Sequence, residues 1–193
     1  MAVGLVAPDV AAVAAADTEA KDGPGGRLRR RLLDRPRPAE TVDRDRQRVL
    51  EDARALLERA RELIASGWVQ DAFYVVRDRR DRLRPVGPFG LLLLSRTDVV
   101  GACLVGAVAH ASAQVDRRSR RAPAALAVDT LWAELGERDG RSRVGPVDYA
   151  HPAARAARVR ELARWNDEPG RDRADVLDLV DRAVSRTILD AVR

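Results

Sequence analysis

Residues 97–115, TDVVGACLVGAVAHASAQV, are the stretch on which the fold turns. Small and aliphatic side chains fill it, and Asp98 is its one acidic residue. Read as a helix beginning near Thr97 or Asp98, it lines up Val100, Leu104, Val108 and Ala111 on one stripe. Ala102, Gly106, Ala109 and Ala113 make a second stripe of small side chains alone. A glycine inside a helix costs ~1 kcal/mol. Gly101 and Gly106 therefore predict a neighbour that packs very close, because the distance between helices follows side-chain size. This reading makes the segment the central helix.

The flanking sequence supplies partners of the same kind. From Thr41 to Ser66, Val49, Ala53, Leu56, Leu57, Ala60, Leu63 and Ile64 hold i, i+3, i+4 spacing, and Gly67 gives a stop. A helix over 122–135 turns Ala124, Val128, Leu131, Trp132 and Leu135 inward. A Gly-, Arg- and Asp-rich loop fills 136–150. Another helix starts at His151-Pro152, with proline at its favoured first position, and runs to Trp165. The last follows Asp172, a good N-cap, with Val176, Leu177, Val180, Val184 and Ile188 on one face. Residues 69–97 are ambiguous: AFYVV and GLLLLS are short apolar runs around a charged, Pro- and Gly-containing stretch. An irregular excursion is the first reading and a hairpin the second. The expectation is an all-α fold of about five helices, packed around a small-residue-rich central helix.

Composition agrees. The 193 residues suit one domain and a tail, at 46% apolar and 34% charged. With seven aromatic residues, the core must be Leu, Val and Ala. The basic residues are 34 arginines and the single Lys21. Net charge is +5, and residues 27–37, RLRRRLLDRPR, hold a local +5 of their own. The charge belongs to an arm and not to a basic globular surface. Residues 1–40 are read as a disordered tail and basic arm, and 41–193 as a single helical domain. No apolar run approaches the ~18 residues of a membrane span. The first twenty residues lack a positive n-region, and Pro8-Asp9 interrupts them, so a secretory signal is not expected. A cytoplasmic location is expected.

One further stretch stands out. In ARWNDEPGRDRADVL (163–177) a helical pattern halts at Asn166-Asp167-Glu168-Pro169-Gly170 and restarts. Asn166 suits a left-handed C-cap, Asp167 can accept turn N–H groups, Pro169 stops the helix, and Gly170 permits the reversal. Taken with Gly67-Trp68 and with Cys103 followed by Gly106-Ala107, Trp165-Asn166-Asp167 resembles the signature of a family of small bacterial and phage proteins of unknown function. The resemblance spans about residues 45–190. It implies the helical fold and a shared signature, and it implies no activity.

Chemistry is sparse. Cys103 and His110 would lie ~10.5 Å apart along a helix, too far for a nucleophile and its base. His151, oriented by Asn166 or Asp167, is the remaining partner for a Cys103 nucleophile. Thus Cys103, His151 and Asp167 are weak catalytic candidates, against the simpler reading of Cys103 as a small core residue. Trp68, Cys103, Trp165, Asn166 and Asp167 are the candidate pocket. One cysteine and two histidines provide no metal set, and no cofactor fingerprint occurs. The leading expectation is a non-enzymatic module that binds a protein partner or itself. A thiol-dependent enzyme using Cys103 is the alternative, and nucleic-acid contact through the arm 27–37 is a weaker one.

Overall fold

A computed structural model describes residues 39–87, 98–116, 119–138, 140 and 151–192. The tail, the basic arm, the GLLLLS run and most of the 136–150 loop lie outside the described residues. The described residues form five helices and three strands: α1 Ala39–Ser66, β1 Tyr74–Arg77, β2 Leu83–Val86, β3 Asp98–Ala102, α2 Leu104–Ala113, α3 Arg121–Arg138, α4 Pro152–Asn166 and α5 Arg173–Ala191.

The long α1 forms where the spacing predicts it. Its stripe of Leu50, Ala53, Leu56, Leu57, Ala60 and Ile64 is buried, and α2, α3, α5 and β3 all pack against it. The hub of the fold is therefore α1. α5 runs antiparallel to it: Arg173, at the start of α5, donates to the Ala65 carbonyl at the end of α1 (3.2 Å). At the opposite end, Val49 and Ala191 join the Leu50–Ala53–Leu126 cluster. Asp172 caps α5 in a reciprocal capping box with Asp175. The buried face of α5 is Val176, Leu179, Val180, Ala183 and Thr187, while Ile188, expected to face inward, is 42% exposed.

The all-α expectation is corrected by a three-stranded antiparallel sheet of order β2-β1-β3. Residues 74–86 form a hairpin and not an irregular excursion; Val75 lies opposite Pro85 on one side and Gly101 on the other. Tyr74-Val75-Val76 has the β-branched and aromatic content that suits a half-buried strand. Asp78 fixes the turn by accepting from the N–H groups of Arg80 (2.8 Å) and Arg82 (3.0 Å). Pro85 is tolerated because β2 is an edge strand of this sheet.

The central-helix expectation is corrected too. Asp98–Ala102 is strand β3, and Cys103 is the N-cap of α2. The buried end of β3, Gly101-Ala102, runs through Cys103 straight into the buried first turns of α2, which leaves no change of hydrophobic period to mark the switch. The small-residue seam does not form: Ala102 lies in the strand, and Ala109 and Ala113 are exposed. Close approach at the glycines is real but involves other partners. A Cβ on Gly106 would stand 2.2 Å from the Phe73 carbonyl oxygen, and one on Gly101 2.7 Å from that of Gly67.

The helices are also tied by charge. Asp129 of α3 is fully buried and pairs with Arg155 and Arg158 of α4, each at 2.9 Å. Arg158 also lies 4.2 Å from the Trp132 ring. No helix of the described residues is long and apolar enough to cross a membrane.

Candidate functional site

The unusual residues of three distant segments meet at one junction. The first is the exit from α1. A Cβ on Gly67 would stand 2.2 Å from the Val100 carbonyl oxygen, so only glycine lets the chain pass there. The Gly67 carbonyl then accepts from Ala102 N–H (2.9 Å), and Val69 N–H donates to the Ala102 carbonyl (3.3 Å). The second segment is the switch from β3 to α2, where Cys103 N–H donates to the Phe73 carbonyl (3.1 Å). The third is the end of α4.

Asn166 joins all three. It is fully buried. Its Oδ1 accepts from Trp68 Nε1 (2.9 Å) and from Leu104 N–H (3.1 Å), and its Nδ2 donates to the Val69 carbonyl (3.1 Å) and to Asp167 Oδ1 (2.7 Å). An amide side chain has two donor hydrogens and one acceptor oxygen with two lone pairs. All four places are filled by protein groups. Asp167 extends the connection by accepting from Asp71 N–H (3.1 Å). Asp71 has a positive φ of 57°, an uncommon conformation for a residue other than glycine, and this bond helps hold it there. Gln70 Nε2 donates to the carbonyls of Asn166 (3.0 Å) and Glu168 (3.1 Å).

The stop after α4 is built differently from the expectation. Asn166 is the last helical residue, and the cap is Asp167 at φ −92°, ψ 5°, which is not left-handed. Gly170, at φ 83°, makes the reversal. Trp165 is buried, with the guanidinium groups of Arg171 (4.1 Å) and Arg138 (5.7 Å) over its ring. Arg171 Nε also donates to the Trp165 carbonyl (3.2 Å). Asp175 holds both arginines, and the Arg138 hydrogen bond, foremost, keeps its carboxyl below the usual range.

Cys103 lies within this junction but is closed off. It is 4% exposed, and its Sγ accepts from Gly106 N–H (3.3 Å) as the cap of α2. Burial, foremost, pushes the thiol up to about 11, and the negative Asp167 nearby acts in the same direction. Helix N–H groups that would favour a thiolate are present and are outweighed. His151 is elsewhere. It caps the start of α4, accepting from Ala153 N–H (3.4 Å). Asp167 stands past the other end, sixteen residues on and about 24 Å away along the axis. His110 meets the Tyr74 ring edge and hydrogen-bonds Gln114 (3.0 Å). Among the described residues, no three His, Cys, Asp or Glu side chains are grouped to hold a metal ion.

The structure thus brings Trp68, Cys103, Trp165, Asn166 and Asp167 to one place and leaves His151 outside it. Sequence reading missed Gln70 and Asp71 as members, and missed the role of Gly67. The only signal for Gln70 and Asp71 was their closeness in sequence to Trp68, and Gly67 was marked only as a helix stop and as part of the signature. A family model, described as a family of unknown function (DUF6197), matches residues 41–186. The chain belongs to this family. No curated protein and no solved structure matches it. The DUF6197 match includes every residue of the junction. It ends before Ile188, Leu189 and Val192, three apolar residues exposed by 42%, 57% and 84%.

Proposed function

We propose that this chain is a non-enzymatic helical module that acts by binding a protein, either another partner or a second copy of itself. The binding surface is the end of the bundle where α1 begins and α5 finishes. One observation carries the reading: most of the exposed large apolar residues lie toward this end, three of them within the last turns of α5 and just past it. Among the described residues the exposed large apolar ones are Val42, Leu83, Ile188, Leu189 and Val192. All but Leu83 lie at this end. Single exposed apolar residues are ordinary, whereas a group at one place is a mark of an interaction surface.

The junction supports the same reading from the other side. Asn166 has spent its hydrogen-bonding capacity within the chain, and Cys103 is a protonated, buried thiol. A thiol-dependent enzyme would need an exposed, ionisable sulfur with a base in reach. A lone buried thiol agrees with a reducing compartment, and we place the protein in the cytoplasm.

Affinity capture from the native cell, read by mass spectrometry, tests the proposal. The wild type is compared with a Leu189→Asp/Val192→Asp variant. The expected result is a protein, another one or this chain, recovered by the wild type and lost by the variant. Equal recovery by both, or a wild type that captures nothing and does not self-associate, overturns it.

A further inference from the structure

The first turns of α1 stand clear of the core: Thr41 to Arg48 are exposed, and Val49 is half-buried. A helical stretch without packing is marginal in water, because helix stability in proteins comes mostly from a buried face. Val42, Asp45, Arg46 and Val49 fall at i, i+3, i+4 and i+7 and so share one face. Read outward from the point between Asp45 and Arg46, three of the four mirrored pairs are complementary, and the fourth sets Arg44 against the uncharged Gln47. Asp45 answers Arg46, Asp43 answers Arg48, and Val42 answers Val49.

We infer that this face is a two-fold dimer contact, in which α1 of a second copy packs antiparallel over residues 42–49. The axis passes between Asp45 and Arg46. Each Asp45 then meets the other copy's arginine at 46, and each Val42 lies on the other copy's valine at 49. A two-fold interface presents the same patch from both copies, so this mirrored order of charges is what it requires. Parallel pairing in register would put aspartate on aspartate and arginine on arginine.

The patch also continues on the far side of Val49. There Val49 packs beside Ala191, and Val192 follows, 84% exposed. A partner's first turn laid on Val49 reaches this end of α5. Thr41, Arg44 and Asp45 take part in interactions of their own. The pairing rests on the order and sign of the charges and on the valine spacing. A contact of two short helices is at the small end of specific interfaces, so the dimer is weak and forms in the micromolar-to-millimolar range.

The inference rests on the binding surface proposed above and names its occupant. Light scattering on the full chain, from micromolar to millimolar, tests it. Asp45→Arg and Arg46→Asp lie on exposed helix and should leave the circular dichroism unchanged. Each single variant places like charges at both central contacts, and should weaken dimerisation by about tenfold or more. The double variant Asp45→Arg/Arg46→Asp restores complementarity and should dimerise as the wild type does. An equimolar mixture of the two single variants should form a heterodimer. A wild type that stays monomeric throughout overturns the dimer, as do single variants that associate like the wild type, or a double variant that stays monomeric. None of these results bears on capture of a different protein, which remains the separate test of the binding reading.

Discussion

Cys103 shows how context decides a side chain's chemistry. It occupies the N-terminus of a helix, a place that elsewhere lowers a thiol's pKa. Here burial prevails, and the thiol is held up to about 11. Alkylation with iodoacetamide at pH 8 should be negligible in the native protein and should proceed only as fast as the chain unfolds. Rapid labelling of folded protein would mean that the sulfur is reachable and ionised. Asn166 makes the complementary point. Its character was legible in the sequence as far as a break between helices, and its residue type was explained there by backbone geometry. The structure gives a different cause. Four hydrogen bonds to residues 62 to 98 positions away, and to its neighbour, cannot be read from local propensity. Asn166→Gly, harmless at a left-handed cap, becomes a serious loss.

At the scale of elements, the sequence marked the amphipathic helices well. The stripe of α1, the Pro152 start of α4 and the Asp172 cap of α5 are all where spacing and capping chemistry put them. It failed at β3 and α2. From Gly101 to Val108 every residue is buried, across the end of β3 and into α2, so neither a period of two nor one of 3.6 stands out. The glycines carried the missing information but named the wrong neighbour. Gly106 faces the backbone at Phe73, and backbone cannot move aside as a side chain can. Gly106→Ala alone should therefore lower stability by ~2–3 kcal/mol or more, which urea unfolding would measure. A stability equal to wild type would place the Phe73 carbonyl elsewhere. The hairpin supplies a pH-dependent case. The Asp78 carboxyl lies below its ordinary range, chiefly because it accepts from Arg82 N–H, with Arg80 N–H and the Arg82 guanidinium assisting. For a lowered carboxylate, the stabilising contribution is present above the unfolded pKa and is lost as pH falls through the folded one. Hydrogen exchange at Arg80 and Arg82 should thus show protection at neutral pH that fades on acidification. Asp78→Asn should remove the pH dependence. Protection, taken relative to the intrinsic exchange rate, that ignores pH in the wild type would contradict this turn.

At the scale of the molecule, two kinds of tie hold the helices. One is apolar: α1 buries its stripe against α2, α3 and α5. The other is the burial of Asp129 between Arg155 and Arg158. Removing one partner of such a group leaves uncompensated charge, so Asp129→Ala should cost ~3–5 kcal/mol in urea unfolding. A cost under ~1 kcal/mol would show the group to be water-accessible and weakly coupled. Beyond these contacts between helices, the junction around Asn166 joins the exit of α1, the β3–α2 switch and the end of α4. The central claim is that these distinctive residues form a structural clasp, and that binding happens at the other end of α1. Equilibrium urea unfolding of Asn166→Ala, with light scattering on the same sample, tests this most directly. The substitution strands the Trp68 indole N–H, the Leu104 N–H and the Val69 carbonyl, at about 1–3 kcal/mol for each buried group left unsatisfied. The account predicts a stability loss of ~3 kcal/mol or more, with self-association of the remaining folded protein unchanged. Unaltered stability together with lost association would contradict it, and would make the junction the binding site.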